Sequence, residues 1–413
     1  MPWREQSVVD QREEFVRLAV QPDANLSELC RRFGISRPKG IKWKNRFLSE
    51  GVEGLRDRSR RPHRSPARTH DPVEAEVLRI RAKSNNAWGG RKIARVMHDN
   101  GWLEIPAPST ITEILRRHGQ LEGRASEHPG PFKRFERAAP NELWQMDYKG
   151  HFALLRGRCH PLTVLDDHSR YSVGLEACED ERGATVQERL TNIFRRHGRP
   201  LQMLMDNGSP WGEDRGWGHT FLTVWLIRLG ISVAHGRPYH PQTQGKEERF
   251  HRTLNAEVIR PGDLRDIEHC QRAFDIWRNV YNHERPHEAL NLDTPSSRYR
   301  ISPWPFPEVL PPIEYPPADA VRKVDIDGHF YFKNRRWRLS KAFRRQPVAL
   351  RPTRQDGLFS VHFCHQLLGT IDMRNLAVGA CGLVDIARAA RKDPAAMPTT
   401  PQAQQQNQFD SNG

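Results

Sequence analysis

The stretch WQMDYKG, residues 144–150, decides how this chain is read. Apolar Trp144 and Met146 alternate with Gln145 and Asp147, the period-two pattern of a strand with one polar face. Asp147 therefore sits near a strand end. A second acid occupies a similar place: Asp206 closes the run Leu201 to Met205, and Asn207-Gly208 turns the chain immediately afterwards. Acids at strand ends point into the crevice where α/β folds place their ligands. The third, Glu248 in QGKEERFH (244–251), lies in the first turn or two of a helix. Phe250 and Leu254 face inward on that helix, so Glu248 lies on the opposite, non-core side. Like charges repel, and grouping three carboxylates costs energy unless a cation binds. With no cysteine among them they suit a hard, oxygen-seeking ion, Mg²⁺ or Mn²⁺, and a pair of ions per active site is expected.

Of 413 residues, 65 are Lys or Arg against 50 Asp or Glu, a formal net charge of +15. That excess points to a polyanionic partner bound more weakly as salt rises, and with the helix-turn-helix patterns described below double-stranded DNA is the partner expected. No small-molecule substrate is expected. No stretch approaches the roughly 18 apolar residues of a membrane span, and MPWREQSVVDQREEF lacks the apolar core of a signal peptide. The six cysteines are scattered without a C-x-x-C pair, which argues against a disulfide framework or structural zinc. The expected setting is the cytoplasm.

Residues 1–60 read as three helices, Gln11 to Val20, Leu26 to Phe33 and Arg37 to Leu48. Asn25 and Ser36 are expected caps, and Gly34 the turn between the second and third. Helix, Gly turn, basic helix is the helix-turn-helix pattern. Ile41, Trp43 and Phe47 are expected to face in, with Arg37, Lys39, Lys42 and Arg46 turned toward DNA. A basic linker follows at 61–70. Residues 71–122 carry a second such unit, with a helix starting after Gly89-Gly90 and another capped by Ser109. After a linker at 123–136, an α/β domain with a mixed sheet is expected over 137–300, with helices at Gly183–His197 and Thr220–Leu229. A Pro-rich linker (301–320) leads to a small all-β unit (321–376), its turns marked by Asp327-Gly328, Lys333-Asn334 and Asp356-Gly357. The tail, 377–413, is of low complexity and expected to be partly disordered.

Other acids compete for attention. Asp166 and Asp167 in LDDHSR read as a hairpin turn with side-chain capping. Glu213 and Asp214 lie in a Gly- and Trp-rich loop. Glu247 is the main rival to Glu248.

The words WQMDYKG, TVLDDHSRY, MDNGSPWG, HPQTQGKEERFHRTLNAE and YNHERPHEALNLDTPSSRY, in that order over about 140–300, resemble the integrase-type core of bacterial insertion-sequence transposases, relatives of retroviral integrases. The resemblance implies a multidomain chain: an RNase H-like catalytic core, N-terminal all-α helix-turn-helix domains and a small SH3-like C-terminal β-barrel. It implies an Asp-Asp-Glu triad at Asp147, Asp206 and Glu248, catalytic and metal-binding. Glu248 follows Gly245 by three residues, as the family's glutamate does, which favours it over Glu247. The 41 residues between Asp206 and Glu248 exceed the usual interval and fit an enlarged loop at Gly212–His219. The implied activity is that of a DNA transposase, cutting 3′ ends and transferring strands as a homo-oligomer on DNA, in the bacterial cytoplasm at the nucleoid. Lys246, Arg249, Arg252 and Arg285 are expected near the scissile strand, and Arg336 and Arg338 on the basic C-terminal unit. An inactive DNA-binding regulator, or a stand-alone nuclease of RNA–DNA hybrids, would be the alternatives.

Overall fold

The computed structural model describes residues 7–58, 68–121, 136–212, 219–235 and 245–374. The expectations for the interior of the 212–219 loop, for HPQTQ, for most of the two helical-unit linkers and for the tail lie outside these residues. The chain forms two compact units, residues 1–68 and 69–413.

The first unit holds α1 (Val8–Ala19), α2 (Leu26–Arg32) and α3 (Arg37–Glu50). Ser7 and Asp10 cap α1 reciprocally and Asn25 caps α2 as expected, whereas Ser36 makes no side-chain cap to α3. Phe15, Val16, Ala19, Cys30 and Leu55 form the small core. α3 reaches it through Gly40, where a Cβ would stand 2.5 Å from Cys30 Sγ. Of the residues expected to face in, Trp43 and Phe47 pack partly buried against this core and Ile41 does not. Ile41 is exposed, and Trp43 is only half-buried, with Arg12, Lys42 and Arg46 around its ring at 4.1, 5.3 and 5.2 Å.

In the second unit α4 (Asp71–Lys83), α5 (Gly90–Asp99) and α6 (Pro108–Arg117) close on Val77, Ile80, Trp88, Ile93, Met97, Ile111, Ile114 and Leu115. α6 starts at Pro108 with Ala107 as its cap, so Ser109 is already inside the helix.

A mixed sheet follows: β1 (Trp144–Tyr148), β2 (Phe152–Ala153), β3 (Arg158–Asp166), β4 (Ser172–Cys178), β5 (Gln202–Met205) and β6 (Ser232–His235). β4 and β1 flank β3 antiparallel, β2 continues β1's edge of β3, and β1-β5-β6 run parallel. α7 (Gly183–His197) and α8 (Phe221–Arg228) cover one face, packed on Trp144, Met146, Leu162, Val164, Val173, Met203 and Met205. On the other face α9 (Gly245–Leu254) and α10 (Ile267–His283) cover Cys159, Leu165, Leu175 and Ala177 with Phe250, Leu254, Cys270, Phe274, Trp277 and Tyr281. β6, a strand of four residues just after a glycine turn, is not anticipated by the sequence; so short a strand carries too few periods to read.

The Pro-rich stretch after 300 is not a free tether. Arg199 N–H donates to the Trp304 carbonyl at 2.7 Å, Phe306 stacks near Phe194, and Arg228 donates to the Pro311 carbonyl at 2.8 Å. The C-terminal unit also departs from expectation. β7 (Ala320–Lys323), β10 (Pro347–Pro352), β11 (Leu358–Phe363) and β12 (Gln366–Asp372) form one antiparallel sheet, while β8 (His329–Phe332) and β9 (Arg335–Arg338) pair as a separate hairpin. Among the described residues no closed barrel forms. Their apolar faces are already buried, because Phe330, Trp337, Phe343, Val348 and Phe363 join the same apolar cluster as β5, β6 and α8. Trp337 is core, as its alternation with outward Arg336 and Arg338 requires.

Candidate active site

The sheet register brings the two aspartates together. β1 and β5 pair in parallel, Trp144 with Met203 and Gln145 with Leu204. Carried two residues further, the same register would bring Asp147 alongside Asp206, which lies just past the end of β5. Met146 and Met205 point into the α7–α8 face, so the pleat turns both aspartates to the face covered by α9. Asp147 is partly buried and accepts from its neighbour's backbone, Tyr148 N–H, at 2.8 Å; Asp206 accepts from Gly208 N–H at 3.0 Å. His235 Nδ1 lies 2.7 Å from the Asp206 carbonyl. Beside them Tyr148 stacks on Trp211, ring centroids 5.4 Å apart.

α9 supplies the glutamates. Its buried side carries Glu247, Phe250 and Leu254, and Glu248 is exposed, off the core as predicted. Asp147 feels the whole group. Burial first, then Asp206, with smaller contributions from Glu181 and Glu248, push its carboxyl up to about 7. Glu247 is held well above the usual carboxylate range by burial and by Asp147. Among the described residues no three His, Cys, Asp or Glu side chains stand close enough to hold an ion as they lie. The donor set nonetheless fits a hard cation: all oxygen, on one face, with mutual repulsion at Asp147 that a cation would relieve.

The expected DNA contacts divide. Arg37, Lys39 and Lys42 are exposed on α3, and Arg46 is half-buried along Trp43. Arg249 and Arg252 are exposed on α9. Lys246 is not turned outward with them: its Nζ pairs with the buried Asp167 carboxylate and donates to the Asp167 carbonyl at 3.2 Å. Burial ahead of Arg170 lowers its pKa to about 8. Arg285 is likewise internal. Its Nε donates to Glu257 Oε1 at 3.1 Å, and Trp277 Nε1 donates to Glu257 Oε2 at 2.8 Å. The Arg-Pro-His word therefore belongs to packing, and Glu257, which no sequence cue singled out, is its partner. Asn282, on α10 just before it, bridges to β4, accepting from Ser172 N–H and donating to Ser172 O. Arg336 and Arg338 are exposed, Arg336 beside Asp325 at 3.4 Å. Asp166 caps its turn as predicted, accepting from Ser169 N–H and Oγ. Asp167 is instead a buried hub, accepting from Gln145 Nε2, Arg137 N–H and Lys246.

Comparison with known families agrees with this architecture. Residues 137–241 and 229–295 match two families described as integrase core domain, and residues 319–378 match the IS481 family transposase C-terminal domain. Residues 11–63 match a helix-turn-helix domain and residues 40–115 a homeodomain-like domain. The matched regions are thus similar to helix-turn-helix domains, an integrase core domain and a transposase C-terminal domain, in that order along the chain. An uncharacterized 31.7 kDa protein of insertion element IS407 from Burkholderia multivorans is 29% identical over 159 residues, 38% of this chain and 55% of that protein. An uncharacterized 39.2 kDa protein of element IS476 from Xanthomonas euvesicatoria is 26% identical over 157 residues, 38% of this chain and 44% of that protein. The chain thus spans about half the length of these relatives. Among solved structures, a chain of the simian T-cell lymphotropic virus intasome in complex with a PP2A regulatory subunit is 16% identical (TM-score 0.35), covering 70% of this chain and 97% of that one. The HTLV-2 integrase catalytic core domain in complex with magnesium is 14% identical (TM-score 0.31), covering 40% and 99%. No helix among the described residues is long and apolar enough to cross a membrane.

Proposed function

We propose that this chain is a DNA transposase. It binds the terminal inverted repeats of its element through the helix-turn-helix units, frees 3′-hydroxyls at the element ends and joins them to target DNA as a homo-oligomer. The observation that supports this most is the β1–β5 pairing at Gln145–Leu204, which, carried on, would bring Asp147 alongside Asp206 on the face that α9 covers. Asp147, Asp206 and Glu248 would hold the divalent cation, two ions in the full site. Bound there, Mg²⁺ or Mn²⁺ supplies Lewis-acid charge neutralisation at the phosphodiester.

The chain's own groups do the rest. Without a cation, burial and Asp206 raise the Asp147 carboxyl to about 7, so its full ionisation near neutrality is opposed until a cation is bound. Arg249 and Arg252, exposed on α9, would contact backbone phosphates of the cut strand. Hydrolysis breaks one P–O bond and leaves a 3′-hydroxyl and a 5′-phosphate. Strand transfer exchanges one phosphodiester for another, so it needs no external energy source. The decisive assay incubates a duplex carrying the element end with Mg²⁺. Nicking at the end and joined products are expected, and Asp206→Asn or Glu248→Gln should lose both while still binding the end. Loss of end binding in those variants would make the acids structural.

A second reading is a DNA-binding regulator that kept the core as a scaffold. One observation favours it: the described donors are not drawn together into an ion site. Specific end binding without nicking in Mg²⁺ or Mn²⁺ would select it.

A further inference from the structure

We propose that Thr163 and Asp167 are positioning residues that pin the first turn of α9, and with it Glu248, against the strands bearing Asp147 and Asp206. This rests on the metal site proposed above. The first four N–H groups of a helix have no intrahelical acceptor, so side-chain contacts decide how firmly its first turn is held. In α9 two consecutive residues of that turn are tied to β3 or to its end. Lys246 pairs with Asp167, the residue just past β3, whose carboxylate is fully buried and also accepts from Gln145 Nε2 at 2.7 Å. Gln145 lies two residues before Asp147 on β1. Glu247 is tied to Thr163, the register partner of Asp147. Thr163 Oγ1 lies 3.0 Å from the Glu247 carboxyl and 3.0 Å from the Asp147 carbonyl, able to donate to either, and 2.9 Å from His251 Nε2 one turn on. A single hydroxyl thus joins β1, β3 and α9 directly beneath Asp147.

Glu248 is the next residue after these two ties. It is exposed rather than packed in the core, so its placement relative to the aspartates is inherited from Lys246 and Glu247. A buried hydroxyl and a buried carboxylate at these points would otherwise be poor choices for a strand interior and its end, where apolar residues pack without desolvation cost. Partners that orient metal ligands commonly carry about a 10–100-fold effect on metal affinity, and the same range is expected here.

The test uses the full chain with Mn²⁺ alone as probe, its binding followed by electron paramagnetic resonance. Thr163→Val, which keeps the shape and removes the hydroxyl, and Asp167→Asn are each expected to weaken Mn²⁺ binding about tenfold or more. Thr163→Ser should restore it, and melting temperatures report whether each variant folds. Wild-type Mn²⁺ affinity in folded Thr163→Val and Asp167→Asn would overturn the proposal. Should the wild type bind no Mn²⁺, the metal-site reading itself fails, and the pin is judged by hydrogen exchange over residues 245–249. Faster exchange there in both variants, at an unchanged melting temperature, supports it; unchanged exchange overturns it.

Discussion

Replacing Asp147 by Asn should make the cation-free protein more stable while abolishing its chemistry. In the folded chain the Asp147 carboxyl is pushed from 3.8 up to about 7, chiefly by burial and by Asp206. An acid with a raised folded pKa binds more protons folded than unfolded between those values, so stability falls as pH rises from about 4 to 7. At roughly 1.4 kcal/mol per pKa unit, the ceiling on this penalty above pH 7 is about 4 kcal/mol. Water reaching the partly exposed carboxylate screens it, so about 1–2 kcal/mol is expected. Asn carries no charge at any pH and escapes the penalty. For a unit of this size that corresponds to a rise of roughly 1–3 °C in melting temperature at pH 8, vanishing at pH 4. Thermal melts of wild type and Asp147→Asn, in chelator, from pH 4 to 8 provide the measurement. Mg²⁺ should then raise the wild-type melting temperature at pH 8 and leave the variant unmoved. A variant less stable than wild type at pH 8, or one with an equal pH slope, would refute the account of Asp147 as a repelled, cation-seeking carboxylate.

Arg285→Ala should cost about 3–5 kcal/mol, because it leaves the buried Glu257 with only Trp277 and without its salt-bridge partner; denaturant unfolding measures this, and a neutral effect would return Arg285 to the DNA surface. Replacing Lys39 and Lys42 together by Ala should weaken end binding and lower the slope of log affinity against log salt by about 0.9 for each phosphate no longer neutralised, read from binding isotherms at several salt concentrations. Asn25→Ala should destabilise the first unit by about 1 kcal/mol, since Asn25 Oδ1 accepts from Ser27 and Glu28 N–H; melts of the full chain followed at Trp43 would show the loss.

Much of this was legible before any coordinates. Period-two alternation around Trp144 and Met146 announced β1, and the helix expected at Gly183–His197 is α7. Turn chemistry marked Gly34, Lys333-Asn334 and Gly357, all of which take positive φ. What failed failed for tertiary reasons. Lys246 and Arg285 look like phosphate ligands in one dimension, because a basic residue beside a catalytic word is usually solvated. Their acceptors, Asp167 and Glu257, are 79 and 28 residues away, and only packing reveals them. Ser36 and Ser109 had the right chemistry for caps, but the chain enters those helices without using them.

Composition and periodicity were enough to announce an α/β core between helical and β units and to nominate three acids at strand ends and a helix start, because local patterning sets strands, helices and turns by short-range physics. Which acids share a face, which cations turn inward and whether the C-terminal strands close on themselves were decided by packing. Those outcomes depend on burial and on partners distant in the chain, and no local window contains them.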